Sequence, residues 1–104
     1  MWMRLHDLET PGPGEIASVK VGTRRLALAN HGGRLCALDD RCPHAGASLS
    51  GGLIEEGQLV CPWHGRTYDL ATGRCDGYEG VQAYPVEVRS DGVYVGIADQ
   101  TPLR

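Results

Sequence analysis

The sequence lacks the long apolar runs that mark membrane proteins and secreted precursors. No stretch approaches the 18 or so apolar residues of a transmembrane helix. The first seven residues, Met1 to Asp7, already include charged side chains where a signal peptide would need an apolar segment. We therefore expect a protein without a membrane span or membrane partner, located in the cytoplasm, where free thiols persist.

Positive charge is also scarce. Ten Lys and Arg residues stand against 13 Asp and Glu residues, which gives a formal net charge of −3. The only basic doublet, Arg24-Arg25, is more typical of an exposed strand start than of a phosphate-binding patch. We therefore expect no nucleic-acid partner.

Helical periodicity, internal repeats and low-complexity tracts are absent too. A length of 104 residues allows one domain with one modest core. Glycine occurs 15 times, about twice its usual frequency, which favours a chain with many tight turns. The composition predicts a β protein rich in loops.

Two alternating apolar segments predict β-hairpins. In the first, Leu26 and Leu28 are separated from Leu35 and Ala37 by a turn that contains Gly32-Gly33. The second runs from residue 84 to residue 97, with alternating Tyr84, Val86 and Val88, a turn at Asp91-Gly92, and alternating Val93, Val95 and Ile97. Pro85 should lie at a sheet edge or strand start, because proline cannot donate to a ladder. Residues 53–58 should hold at most a short turn.

Between these hairpins lie two short segments, Cys42-Pro43-His44 and Cys61-Pro62-Trp63-His64, which are separated by 16 residues. Each segment carries one Cys and one His, so together they could ligate a metal centre with two kinds of ligand. A mononuclear zinc finger usually takes a Cys-x-x-Cys pair and a His pair instead. The spacing of the four cysteines also differs from that of all-cysteine clusters. The pattern favours a [2Fe–2S] cluster, with a structural zinc site on the same four side chains as the alternative.

The motif Cys-x-His, 16 residues, Cys-x-x-His resembles that of the Rieske family, and residues 40–47 and 61–69 extend the likeness. The resemblance implies an all-β fold: an antiparallel β-sandwich or barrel base with an inserted cluster-binding subdomain of β-strands and loops. Residues 1–104 would form one Rieske domain, with the insertion at about 40–75. One [2Fe–2S] cluster per chain is implied, with Cys42 and Cys61 on the inner iron and His44 and His64 on the outer iron.

Membrane-tethered, high-potential members of that family carry an extra cysteine in each ligand loop, joined as a disulfide. The matching positions here are Ala47 and Trp63, so the sequence resembles the soluble, low-potential Rieske ferredoxins of ring-hydroxylating oxygenase systems. We expect a monomeric one-electron carrier, itself not an enzyme, between a flavin-dependent reductase and a terminal oxygenase. The small subunit of an assimilatory nitrite reductase, bound to its large subunit, is the alternative. No catalytic residue is predicted, since a mononuclear iron site needs two His and a carboxylate and only His6 and His31 remain.

Several residues near the motif carry more specific expectations. The resemblance implies that the Tyr68 hydroxyl donates to a ligating sulfur, with simple core packing as the alternative. Arg66 replaces a serine donor of the high-potential relatives, which implies a potential low in the Rieske range. Cys36 is expected to be a core thiol, and Cys75 a bystander or a redox-sensitive surface thiol. Asp39-Asp40 is expected to be a solvated charge pair, or else part of a steering surface for a reductase.

Overall fold

The computed structural model describes residues 1–5, 10–42, 48–63 and 65–97. Its regular elements are ten strands and one short 3-10 helix, Leu49–Gly51. The strands are β1 (Trp2–Arg4), β2 (Ile16–Val21), β3 (Arg24–His31), β4 (Arg34–Asp39), β5 (Leu53–Glu55), β6 (Gln58–Val60), β7 (Thr67–Asp69), β8 (Ala83–Tyr84), β9 (Val86–Arg89) and β10 (Gly92–Gly96). All strand pairs are antiparallel, which confirms the predicted all-β class. No helix in the described ranges is long and apolar enough to cross a membrane.

Three sheets divide these strands. Their orders are β1-β10-β9, β2-β3-β4-β8 and β5-β6-β7. The four-stranded sheet lies between the other two, because side chains on its two faces enter two different cores. Strands β1 to β4 and β8 to β10 supply the first two sheets, whereas β5 to β7 supply the third.

Strand β3 shows this arrangement most clearly, because it is buried on both faces. Leu26 and Leu28 pack with Val95 of the β1-β10-β9 sheet, whereas the alternate residues Ala27 and Ala29 pack into the second core. All five of these side chains are fully buried. A buried leucine side chain contributes about 1.5–3 kcal/mol to folding, so the leucine face stabilises the base of the fold. The small alanine side chains leave space in the second core, which contains Cys42, Cys61 and Tyr68.

The first predicted hairpin is confirmed. Strands β3 and β4 pair up to His31 and Arg34, and the turn between them uses Gly32 and Gly33 at φ 63° and 93°. Two successive positive φ angles match the twist of a hairpin, and glycine adopts them without a steric penalty. The side-chain oxygen of Asn30 accepts a 2.8 Å hydrogen bond from the Gly33 amide.

The second predicted hairpin is confirmed between β9 and β10, but the strand before it is divided at Pro85. Tyr84 ends β8 and pairs with Ala37 of the central sheet, whereas Val86 begins β9 and pairs with Val95. Proline has no amide hydrogen to continue a ladder, so the chain crosses from one sheet to the next at this residue. Pro85 therefore stands directly before a strand start, as predicted.

The β5-β6-β7 sheet corrects the expectation for residues 53–58. A hairpin lies there instead of an isolated short turn, with Glu56 and Gly57 at φ 50° and 77° between β5 and β6. Its neighbour β7 pairs with β6 and brings Tyr68 opposite Leu59. Both side chains are fully buried in the same core as the alanine face of β3.

Candidate metal centre

Cys42 and Cys61 meet in the core between the central sheet and the β5-β6-β7 sheet. They are 0% and 1% exposed and belong to one packed cluster with Tyr68. Burial raises the pKa of the Cys61 thiol, and the neighbouring Cys42 raises that pKa further. The two sulfurs are therefore close enough to interact, and a metal that took both as thiolates would remove the electrostatic cost of charging them.

His44 and His64 lie outside the described residues, so their predicted role as ligands stays a prediction. Each follows a described cysteine by two or three positions in the sequence. Over the described ranges, no group of three or more His, Cys, Asp and Glu side chains could hold a metal ion. Cys42 and Cys61 are the described part of the predicted ligand set, and as two buried thiols they fit the thiolate half of a [2Fe–2S] centre.

Asp40 fixes the base of the loop that begins at Cys42. Its carboxylate accepts hydrogen bonds from the Ser50 amide at 2.6 Å, the Ser50 hydroxyl at 3.1 Å and the Ser18 hydroxyl at 3.0 Å. Its backbone carbonyl accepts from the Leu49 amide at 2.7 Å. These bonds join the chain before the loop to the chain after it, next to a bridge between Arg41 and Ser48.

The expectation of a solvated Asp39-Asp40 pair was therefore wrong for Asp40, which is 2% exposed. Asp39 is half-buried and accepts a 2.7 Å hydrogen bond from the Tyr84 hydroxyl. Carboxylates bonded in this way hold the fold together and are poorly placed to steer a reductase. The sequence carried no local signal for this, because the donors to Asp40 come from β2 and from the far side of the ligand loop.

The second ligand loop is closed by its own backbone. The Cys61 amide donates to the Arg66 carbonyl at 2.7 Å, and Gly65 in between has φ 69°. Within the loop, the Trp63 amide lies 3.4 Å from Cys61 Sγ and donates to it, which opposes the rise in the Cys61 pKa. Amide hydrogens directed at sulfur stabilise negative charge there. The Trp63 side chain, one position before the predicted ligand His64 in the sequence, is 59% exposed.

Tyr68 contacts the sulfur of Cys42. Its hydroxyl lies 3.2 Å from Cys42 Sγ, and its side chain is fully buried. Burial, and then the contact with Cys42, raise the pKa of Tyr68, which keeps its hydroxyl protonated and able to donate. Tyr68 is thus both a core aromatic and a neighbour of a predicted ligand, as the family resemblance implied.

The two remaining cysteines differ from each other. Cys75 is 8% exposed and packs in the core with Cys42 and Cys61, so the alternative of a surface thiol was wrong. Its polar sequence neighbours gave no signal of this burial. Cys36 is half-buried against the same core, and burial raises its thiol pKa, which suppresses the reactive thiolate. His31 is exposed on the rim of a cleft of about 410 Å³ that also contains Cys36.

Comparison with known proteins bears on this site. The family model of the Rieske [2Fe-2S] domain matches residues 1–90. The 3-phenylpropionate/cinnamic acid dioxygenase ferredoxin subunit of Photorhabdus laumondii is 33% identical over 82 residues, which cover 75% of this chain and 78% of that protein. Apoptosis-inducing factor 3 of Homo sapiens is 32% identical over 97 residues, which cover 90% of this chain. The chain spans only 16% of that relative's length.

A solved structure is similar to this chain in its fold. The ferredoxin of carbazole 1,9a-dioxygenase from Nocardioides aromaticivorans IC177 superimposes with a TM-score of 0.80 at 26% sequence identity. The superposition covers 90% of this chain and 95% of that one. The arrangement of sheets around Cys42 and Cys61 is therefore one that a small ferredoxin also adopts.

Proposed function

The chain belongs to the Rieske [2Fe–2S] domain family and so carries one [2Fe–2S] cluster; on this premise we propose that it is a one-electron carrier. It receives electrons from a flavin-dependent reductase and passes them to the terminal oxygenase of a ring-hydroxylating system. It is not itself an enzyme. The acceptor is proposed from the names of its relatives, a dioxygenase ferredoxin subunit and the ferredoxin of a carbazole dioxygenase. The donor is proposed from the resemblance of the ligand motif to that of soluble Rieske ferredoxins.

The observation that carries this proposal is the convergence of Cys42 and Cys61 in one buried core, where each sulfur makes a hydrogen bond with a neighbouring polar group. The Tyr68 hydroxyl lies within hydrogen-bond distance of Cys42 Sγ, and the Trp63 amide donates to Cys61 Sγ. We propose these two cysteines, with His44 and His64, as the ligands. When bound there, the cluster supplies a one-electron couple, and the surrounding protein sets its potential by hydrogen bonding and exclusion of water.

We further propose that the whole chain is one domain and that residues 40–75 form its cluster-binding insertion. The boundaries are supported by the hydrogen bonds of Asp40, which close the base of the first ligand loop. At the other end, the Val81 amide donates to the Gly73 carbonyl just before the chain returns to the central sheet at β8. None of the four cysteines, all of which lie in the described ranges, forms a disulfide, which suits the reducing cytoplasm that we propose as the carrier's location.

Metal and sulfide analysis tests the centre. Protein purified anaerobically from iron-replete cells should contain two irons and two acid-labile sulfides per chain, in keeping with its family. The reduced protein should give the rhombic low-g electron paramagnetic resonance spectrum of a cluster with nitrogen ligands. Stoichiometric zinc without labile sulfide would overturn the proposal in favour of a structural site.

A single-turnover experiment tests the role as a carrier. The reduced protein is mixed anaerobically with an oxidised ring-hydroxylating oxygenase from the same source, and its visible spectrum is followed. Each chain should return to the oxidised spectrum after giving up one electron. Failure to reduce any such oxygenase, or oxidation of an aromatic substrate by this chain alone with a chemical reductant, would contradict the proposal.

A further inference from the structure

We propose that Arg66 and Tyr78 form a latch that holds a positive charge beside Cys61 and thereby raises the reduction potential of the centre. The latch joins the second ligand loop to the loop of residues 73–81. Arg66 is a positioning and charge-bearing residue and is not itself a ligand. The inference rests on the proposed role of Cys61 as a ligand.

The backbone places Arg66 next to Cys61. The Arg66 carbonyl accepts the 2.7 Å hydrogen bond from the Cys61 amide, so the two residues face each other across the closed end of the loop. The Arg66 side chain is half-buried. The guanidinium is therefore carried by the residue that pairs with the proposed ligand at the closed end of its loop.

Tyr78 supports the guanidinium. Arg66 Cζ lies 3.8 Å from the centroid of the Tyr78 ring, a distance at which a cation is attracted to the face of the aromatic ring. Tyr78 is 58% exposed, so core packing does not explain the position of its ring. The stacking on Arg66 explains that position.

The loop that carries Tyr78 is anchored at both its turn and its base. The Tyr78 amide donates to the Cys75 carbonyl at 3.0 Å, and Cys75 is buried in the same core as Cys61. At the base, the Val81 amide donates to the Gly73 carbonyl at 2.8 Å. Gly73 has φ 77°, and a Cβ there would lie 2.1 Å from the Val81 carbonyl oxygen, so only glycine allows this approach. The backbone that carries the ring is therefore anchored to the core that contains Cys61.

The charge of Arg66 is not neutralised by a carboxylate within the described part of the chain. There, the single ion pair joins Arg89 to Glu87. Arg89 also stacks on an aromatic ring, with Cζ 4.1 Å from the centroid of Tyr94. Arg89 belongs to the β1-β10-β9 sheet, on the far side of the central sheet from the cysteines. Arg89 is therefore a control for Arg66: it also stacks on a tyrosine ring, but it is paired with Glu87 and lies far from the cysteines.

The direction of the effect follows from charge. Reduction adds one electron and removes no atom, so the centre becomes more negative by one unit. A fixed guanidinium nearby stabilises the reduced state more than the oxidised state, which raises the potential. Half-burial limits screening by salt compared with a fully exposed arginine.

Spectroelectrochemical titration of the purified holoprotein tests the latch. Arg66→Gln should reduce the equilibrium constant for reduction about two- to tenfold, which is a potential about 18–59 mV lower for a one-electron couple. Arg66→Lys should retain most of the wild-type potential. Tyr78→Leu should lower the potential part of the way, because the guanidinium is no longer held, whereas Tyr78→Phe keeps the aromatic face and should match the wild type. Arg89→Gln should have no effect.

The outcomes separate this inference from the proposed function. A wild-type protein without iron and labile sulfide would refute the proposed function. An intact cluster spectrum with an unchanged potential in Arg66→Gln would overturn this inference alone. An unchanged potential in Tyr78→Leu would overturn the latch, even if Arg66→Gln failed to fold. An equal shift in Arg89→Gln would show an effect of net charge and would likewise overturn it.

Discussion

The hydroxyl of Tyr68 and Sγ of Cys42 lie 3.2 Å apart, and both side chains are completely buried. Water therefore cannot replace the hydroxyl if it is removed. A hydrogen bond to a ligating sulfur is stronger when the centre carries more negative charge, so its loss destabilises the reduced state more than the oxidised state.

We therefore expect Tyr68→Phe to lower the reduction potential by tens of millivolts, where 59 mV is a tenfold change in the equilibrium constant of a one-electron couple. Phenylalanine keeps the ring that packs in the core and removes only the hydroxyl. Protein-film voltammetry of the variant beside the wild type measures the shift. An unchanged potential would mean that Tyr68 serves only to pack the core.

Substitutions should distinguish the proposed ligands from Cys36 and Cys75, which are not expected to bind the cluster. His44→Ala and His64→Ala should abolish normal cluster assembly, because each removes one nitrogen ligand from the proposed set. Cys36→Ser and Cys75→Ser should retain the visible and electron paramagnetic resonance spectra. Iron and sulfide analysis with both spectroscopies gives the result, and loss of the cluster in either serine variant would refute the ligand assignment.

Asp40→Asn should destabilise the fold. The buried carboxylate accepts three hydrogen bonds from Ser18 and Ser50, divided between its two oxygens. Asparagine keeps only one acceptor oxygen and removes the negative charge, and its NH2 group cannot accept the bonds made to the other oxygen. We expect a loss of about 1.5–3 kcal/mol in the free energy of unfolding, the usual value for hydrogen bonds to a charged group. Urea unfolding of the holoprotein, followed by far-UV circular dichroism, measures it.

The control for Asp40→Asn is Glu55→Gln, which removes one negative charge from an exposed position in β5. Its stability should stay within about 0.5 kcal/mol of the wild type, as for most surface substitutions. Equal effects of the two variants would show that net charge, and not the hydrogen bonds of Asp40, determines the result.

Tyr84 should make stability fall at alkaline pH. Burial, and then the hydrogen bond to Asp39, raise the pKa of Tyr84 to about 12 from its ordinary value of 10.0. The folded protein therefore binds this proton more tightly than the unfolded chain does. The stabilising contribution is complete below about pH 10 and is lost as the pH rises through about 12.

Unfolding free energies of wild type and Tyr84→Phe, measured at several pH values from 9 to 12, check this. The difference between the two proteins should change with pH in that interval, with the wild type losing more stability. Asp39→Asn should move the wild-type loss to lower pH, since it removes the second cause of the raised pKa. Parallel pH profiles for all three proteins would contradict the assignment.

Features set by neighbouring residues could be predicted from the sequence. The turn at Gly32-Gly33 was predictable because positive φ angles favour glycine locally. The cysteine and histidine pairs were recognisable because each pair lies within a few residues. The class of the fold and its cofactor followed from such local signals.

Features set by distant partners could not be predicted. The burial of Asp40 depends on hydroxyls from two other segments, and the core position of Cys75 depends on packing with Cys42 and Cys61, which are distant in the sequence. The position of Pro85 was predictable in part. Proline marks the end of a strand ladder, but the sequence does not show that the next strand belongs to a different sheet. The hairpin at residues 53–60 lacked a long alternating pattern, because each of its strands has only three residues.

Strand β3 has a consequence for how the metalloprotein is assembled. Its leucines close one compartment with protein atoms alone, whereas its alanines line the compartment that contains the two thiols. We therefore expect the leucine side of a newly synthesised chain to fold before iron binds. We expect hydrogen exchange in the apoprotein to be slow in β2, β3 and β10 and fast in β5 to β7. Iron binding would then order the core around the two thiols, next to a leucine core that is already folded.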